Sequence, residues 1–242
     1  MLSTLTRTHT LARTARAAAP ASSILARFLS IKALTTPNEN ALKFQVDQNI
    51  LADPTTSYQI NLANQSHSPL AAKIFEYSND VESVLIGGNF VTVNKNEFAH
   101  WNQVKPVVES ILESHLKKKE PVIDEREVER ANNALFDGEA RSMTEEDQEI
   151  TEEIQELIDT RIRPAIQDDG GDIVFLRYQD GKVYVQLQGA CTSCSLSDDT
   201  LKSGIQSMLS HYVEEVEEVV NLAELEFNKF EQKLKMQRDH RA

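Results

Sequence analysis

Cys191 and Cys194 are the only cysteines of this 242-residue chain, and they stand two residues apart in the stretch GACTSCSLSDDT, residues 189–200. Two thiols at that spacing close a redox disulfide, or they supply half of a metal site. A strand pattern precedes them and a helical pattern follows, so they sit on a strand-to-helix turn. Ser195 or Ser197 is placed to cap the helix, and Asp198 and Asp199 suit its positive end. Free N–H groups in such a turn favour thiolate over thiol. Thiolate ligates metal and also attacks disulfides, so the local chemistry leaves both readings open.

The surroundings weigh differently on each. A thioredoxin-type site also has C-x-x-C at a helix start, but a cis-proline from a later strand faces it, and no proline follows Pro164 here. A closed zinc site needs four ligands. The nearest other soft donor, His211, lies about 25 Å along an unbroken helix at ~1.5 Å per residue, which makes it a helix-end histidine. Common iron–sulfur clusters take four thiolates, and two copies of the chain about a two-fold axis supply them. A thiol–disulfide oxidoreductase stays as the alternative. Gly189 allows a tight turn and close approach of a partner chain and cluster, or it simply ends a strand.

The elements that position the thiols follow from periodicity. Ile150, Ile154, Leu157, Ile158, Ile162 and Ile166 recur at helical steps, and Pro164 should kink or break that helix. Asp180-Gly181 joins two β-rich runs as a two-residue hairpin turn, with Val183, Val185 and Leu187 on one face. Leu201, Ile205, Met208, Leu209 and Tyr212 mark the helix after the cysteines, and VEEVEEVV suggests a last strand. The tail after Ala223 could add one more helix.

An earlier block, without cysteine, reads as strands at ALKFQVDQ and SYQINLA and a short helix opened by Ser68-Pro69. A strand pair turns at Gly87-Gly88-Asn89, residues that tolerate positive φ, and a helix runs from about Glu97 to Leu116 with Trp101 as a core anchor. Its histidines His67, His100 and His115 are scattered. Residues 120–149 hold eleven acidic and three basic residues and form a solvated linker.

Charge and composition bound the function. The net charge is −13, which argues against nonspecific nucleic-acid binding, and no apolar run is long enough to span a membrane. Residues 1–38 contain Arg7, Arg13, Arg16, Arg27 and Lys32 and no acidic residue. An acid-free start rich in Arg, Ser, Thr and Ala has the composition of an organellar transit peptide, with a cut expected near Ser30. Two cysteines in a reducing compartment make a structural disulfide a poor explanation.

The stretch DTRIRPAIQDDGGDIVFLRYQDGKVYVQLQGACTSCSLSDDTLKSGIQSML closely resembles the C-terminal domain of the NifU-like (Nfu) iron–sulfur scaffold family. Arg163-Pro164, Asp169-Gly170-Gly171-Asp172 and Gly189-Ala190-Cys191-x-x-Cys194 carry the resemblance. TPNENALKF, SPLAAKIFE, VESVLIGGNFVTVNK and WNQVKP resemble the family's amino-terminal domain. The expected fold class is α+β: two small α/β domains joined by an acidic linker, the C-terminal one a small mixed sheet (a hairpin plus a further strand) packed with helices. Expected boundaries are a mitochondrial transit peptide at 1–35, an Nfu-type N-terminal domain at 36–118, the linker at 119–143, the CxxC domain at 144–222 and an extension at 223–242.

The resemblance implies a scaffold or carrier in the mitochondrial matrix, not an enzyme. It implies a [4Fe-4S] cluster, transiently bound and shared between subunits, with Cys191 and Cys194 as ligands. It implies a homodimer or higher even oligomer, upstream cluster assembly proteins, and client apoproteins such as lipoyl synthase and respiratory-chain proteins.

Overall fold

A computed structural model describes residues 29–128, 144–192 and 198–222. Within them the chain builds two sheets, each with its own helices and its own apolar cluster. The first sheet is antiparallel, with strands β1 (Ile31–Thr35), β2 (Ala41–Val46), β3 (Tyr58–Asn61), β4 (Val81–Ile86) and β5 (Phe90–Lys95) in the order β1-β2-β5-β4-β3. Alternation sends Leu42, Phe44, Val46, Val84, Ile86, Val91 and Val93 to one face. Helices α1 (Pro69–Tyr77) and α2 (Trp101–Lys117) cover it with Leu70, Ile74, Val104, Val108 and Leu112. The Ser68 hydroxyl caps α1 by accepting from the Ala71 N–H at 3.0 Å, and Pro69 fills the first helical position.

Three details of this half differ from expectation. β1 occupies Ile31–Thr35, inside the 1–35 stretch set apart as a transit peptide, so the fold starts directly after the cut expected near Ser30. α2 starts at Trp101, not Glu97, because the Asn96 side chain accepts from the Phe98 and Ala99 N–H groups at 3.0 and 2.9 Å and holds them in a turn. Trp101 itself is half-buried at the rim of the core, and its Nε1 donates to the Glu39 carbonyl at 2.9 Å. Gly87 and Gly88 are not at positive φ. They are glycines for space: a Cβ on Gly87 would lie 2.3 Å from the Phe90 ring, and one on Gly88 would lie 2.4 Å from the Pro54 carbonyl.

The second half opens with α3 (Glu145–Leu157), capped reciprocally by Thr144 and Asp147. A wide π turn over Ile158–Ile162 leads into α4 (Arg163–Asp168), where Pro164 sits in the first turn and its missing N–H costs nothing. β6 (Gly171–Gln179) and β7 (Lys182–Gly189) form the antiparallel hairpin, with Asp180 at φ +51° and Gly181 at φ +75°, the pair of positive values a type I′ turn needs. α5 (Asp198–Tyr212) crosses to β8 (Glu218–Asn221), which pairs parallel to β7 and completes the mixed sheet.

Ile154, Ile158, Ile162, Ile166, Val183, Val185, Leu187, Ile205 and Leu209 make this second core. Met208 and Tyr212, expected on the apolar face of α5, are exposed instead. The Tyr212 hydroxyl accepts from Arg161 Nη1 at 2.8 Å, so the ring lies along the surface. The ends of the expected solvated linker are folded: Val122 joins the first core, where its carbonyl accepts from Ser68 Oγ at 2.6 Å, and α3 takes up the linker's last residues. Residues 129–143 and the tail after Leu222, including its expected helix, lie outside the described residues. Among the described residues no helix is long and apolar enough to cross a membrane.

Candidate functional site

β7 ends at Gly189 in the left-handed region, φ +65°, and a single 3-10 turn over Ala190–Thr192 follows. A positive φ at this point reverses the chain and brings Cys191 back over the start of β6. The Ala190 N–H donates to the Gly170 carbonyl at 3.2 Å, and the Thr192 hydroxyl donates to the Gly189 carbonyl at 2.9 Å, which closes the turn. The Cys191 sulfur occupies the space above Gly171: a Cβ there would lie 2.4 Å from Sγ. Gly170 supplies another positive φ, +81°. The two glycines of the Asp169-Gly170-Gly171-Asp172 motif thus do separate jobs, one bending the chain and one seating a thiol. Cys191 is 8% exposed and packs on the second core. Cys194 lies outside the described residues, as do Ser195 and Ser197.

A buried ion pair fixes the seat. Asp172, 1% exposed, has Oδ1 3.2 Å from Arg163 Nε and accepts there from the Ile173 N–H at 2.7 Å. Its Oδ2 accepts from Gln167 Nε2 at 3.3 Å. Arg163 also donates through Nη2 to the Ile173 carbonyl at 2.9 Å and pairs with Asp159 at 2.5 Å. The carboxylate is compensated on both oxygens, as burial of a charge requires. The arrangement locks α4 across the first residues of β6 and so sets the distance between Gly171 and the cysteine turn.

The other wall of the site comes from the first half of the chain, which local sequence patterns did not indicate. Gln59 Oε1 accepts from the Gly189 N–H at 2.9 Å, Asn94 Nδ2 donates to the Gly189 carbonyl at 2.9 Å, and Asn38 Nδ2 donates to the Ala190 carbonyl at 3.0 Å. Lys43 Nζ donates to the Gln167 carbonyl at 2.8 Å, at the end of α4. Burial pushes the Lys43 pKa down, against the opposing pull of Asp168 and Asp169. Leu85 packs on Gly189 so closely that a Cβ there would lie 2.5 Å from Leu85 Cδ2. A cavity of about 130 Å³ remains between Pro37, Asn38, Ala165, Ile166, Cys191 and Leu201.

The histidines sit apart from this site. His211 is exposed with its ring edge-on to Tyr212 at 4.9 Å. His115 is buried in the first half beside Lys73 and Glu120. Among the described residues no three His, Cys, Asp or Glu side chains gather in a group able to hold a metal ion.

The fold and site define a two-domain α+β protein whose second domain carries a cysteine turn on a double-glycine seat. Residues 31–119 match the family model described as "Scaffold protein Nfu/NifU N terminal", and residues 154–220 match "NifU-like domain". The chain is 44% identical to "NifU-like protein, mitochondrial" of Saccharomyces cerevisiae, an alignment covering 86% of this chain and 89% of that protein. It is 38% identical to "NFU1 iron-sulfur cluster scaffold homolog, mitochondrial" of Drosophila willistoni, over 86% of this chain and 71% of that one. A solution NMR structure of NifU-like protein from Saccharomyces cerevisiae aligns with 34% identity and a TM-score of 0.38, covering 49% of this chain and 94% of that chain. The chain belongs to the Nfu family of NifU-like proteins, and it is mitochondrial, as these curated relatives are by name.

Proposed function

We propose that this protein is an iron–sulfur cluster scaffold of the mitochondrial matrix, a carrier and not a catalyst. Cys191 and Cys194 of two copies hold one [4Fe-4S] cluster between them, and the cluster is cargo, passed to client apoproteins such as lipoyl synthase and respiratory-chain proteins after loading by upstream assembly proteins. The observation that carries this reading is a thiol turn built on Gly171 in a chain with only two cysteines, so that four thiolates require two chains. The name of the Drosophila relative supports it. A site completed across a subunit interface releases its cargo when a client offers competing thiolates.

The remaining parts take roles that fit. Residues up to about Ser30 direct import, residues from Ile31 to about 128 and residues 144–222 act as domains joined by the remainder of the acidic stretch, and cluster binding belongs to the second. The test is anaerobic reconstitution with iron and sulfide, followed by absorption spectroscopy, iron and sulfide analysis and sedimentation. We expect an even-numbered oligomer with about four iron per two chains. Cys191→Ser should abolish the charge-transfer absorption. A cluster-loaded monomer without added thiols, or an unchanged Cys191→Ser spectrum, overturns the reading.

A further inference from the structure

Cys191 is covered from the far end of the chain. Pro37 and Asn38 close the cavity onto which it faces, and three backbone groups flanking it, the Gly189 N–H, the Gly189 carbonyl and the Ala190 carbonyl, are bonded by Gln59, Asn94 and Asn38. Gln59 and Asn94 stand on the face of the first sheet turned away from α1 and α2, and Asn38 on the turn between β1 and β2 beside it. We propose that this polar face is a docking surface for the thiol turn, occupied by the chain's own second domain in the apo protein and vacated when the turn takes up a cluster. The second half of that statement rests on the scaffold reading above; the first half does not.

Three observations carry it. The contact is built: donors and acceptors of the first domain meet three main-chain groups of the turn. It is also built to separate. Thr92 Oγ1 and Asn94 Oδ1 are buried on this face with no hydrogen-bond partner among the described residues, and the Lys43 ammonium is desolvated, so water gains all three groups when the domains part. Finally, docking and cluster sharing exclude each other. A cluster held between two chains needs both Cys191 thiols open to one another, whereas the docked Cys191 is 8% exposed and shares its cavity with Pro37 and Asn38 of the first domain. Residues 129–143 connect the described parts and reach at most about 50 Å fully extended, enough for the domains to separate while tethered.

The test uses the full chain without metal. Wild type, Leu85→Arg and Gln59→Ala are treated with N-ethylmaleimide, and Cys191 modification is followed by peptide mass spectrometry beside a thermal melt. Modification tracks the open population, so Leu85→Arg should react roughly tenfold faster than wild type and Gln59→Ala faster by a smaller factor. Equal rates in the folded variants overturn the docking surface; should Leu85→Arg not fold, the Gln59→Ala rate decides alone. Reconstitution then follows with iron and sulfide. Faster cluster uptake by the faster-labelling variants supports mutual exclusion, and unchanged uptake overturns it. If no form of the protein takes up a cluster while the variants still label faster, the docking surface stands and the scaffold reading falls.

Discussion

At β5 the two faces of the first sheet are buried to the same degree by opposite means. Val91 and Val93 of β5 are wholly buried against α1 and α2, while Thr92 between them and Asn94 beyond are 0% and 3% exposed on the other side. β4 divides likewise, with Val84 and Ile86 in the helical core and Leu85 against Gly189. Apolar burial stabilises by roughly 25 cal/mol per Å² whatever the orientation of the groups. Polar burial stabilises only where donors meet acceptors, and Thr92 and Asn94 each keep one atom unmet. One face is therefore a core and the other a joint, and equal exposure values conceal the difference.

The largest effect should come from the core face. Phe44 on β2 is 0% exposed within the helical core, and Phe44→Ala should cost the first domain about 3–5 kcal/mol in urea unfolding. Asn94→Ala on the joint face should cost that domain about 1 kcal/mol or less, since its Nδ2 bonds reach Ser83 within the domain and Gly189 beyond it. Losses of similar size would erase the distinction.

How much of this was legible depended on whether the constraint was local. Asp180-Gly181 was readable because a type I′ turn demands two positive φ values and few residues adopt them. Gly87 and Gly88 looked like the same signal but answer to crowding by Phe90 and Pro54, which no local pattern encodes. Alternation gave Lys43, Thr92 and Asn94 a common face without saying what covers it. For Cys191 residue type and spacing are legible; the seat on Gly171 and the cover from Asn38 emerge only when residues far apart in the chain meet. β1 was hidden for another reason: composition, not periodicity, assigned its residues to the transit segment.

Gly189 offers a sharper cut, because it sits at the joint and is also strained for any other residue. Its φ of +65° and a Cβ position 2.6 Å from the Gly170 carbonyl penalise a side chain in either state, while the approach of Leu85 penalises one only when the domains are docked. Gly189→Ala should therefore cost the second domain about 1–2 kcal/mol, with a further loss of docking. Adding Leu85→Ala should restore the docking and leave the backbone cost in place. A cycle of the two substitutions, read by melting and by Cys191 labelling, separates them. Strict additivity in the labelling rate would mean that the two residues do not meet in solution.

The smallest effect concerns protons, and the two faces should answer pH in the same direction but in separate windows. His115 on the core side is 1% exposed, with Nε2 3.0 Å from the Pro121 carbonyl, Nδ1 3.2 Å from Glu120 Oε2, and Lys73 Nζ 3.4 Å away. Burial holds its pKa below the ordinary imidazole value of 6.5; Lys73 reinforces this, and Pro121 and Glu120 oppose it. The unfolded chain therefore takes the proton first, and first-domain stability, full above about pH 6.5, declines as pH falls from there through the lowered folded value. Glu120, whose pKa is itself lowered by Lys73, titrates below this window. Lys43 on the joint side has its pKa lowered by burial from 10.5, so the docked state binds fewer protons and docking tightens as pH rises from the lowered value toward 10.5. Both gain as pH rises, the core through His115 up to about pH 6.5 and the joint through Lys43 up to about 10.5. The urea midpoint of the first domain, measured from pH 7.5 to 5, should fall in wild type and stay flat over the upper part of that range in His115→Gln, whatever its absolute stability. A slope that survives the substitution would assign the titration to another group and remove His115 from the account.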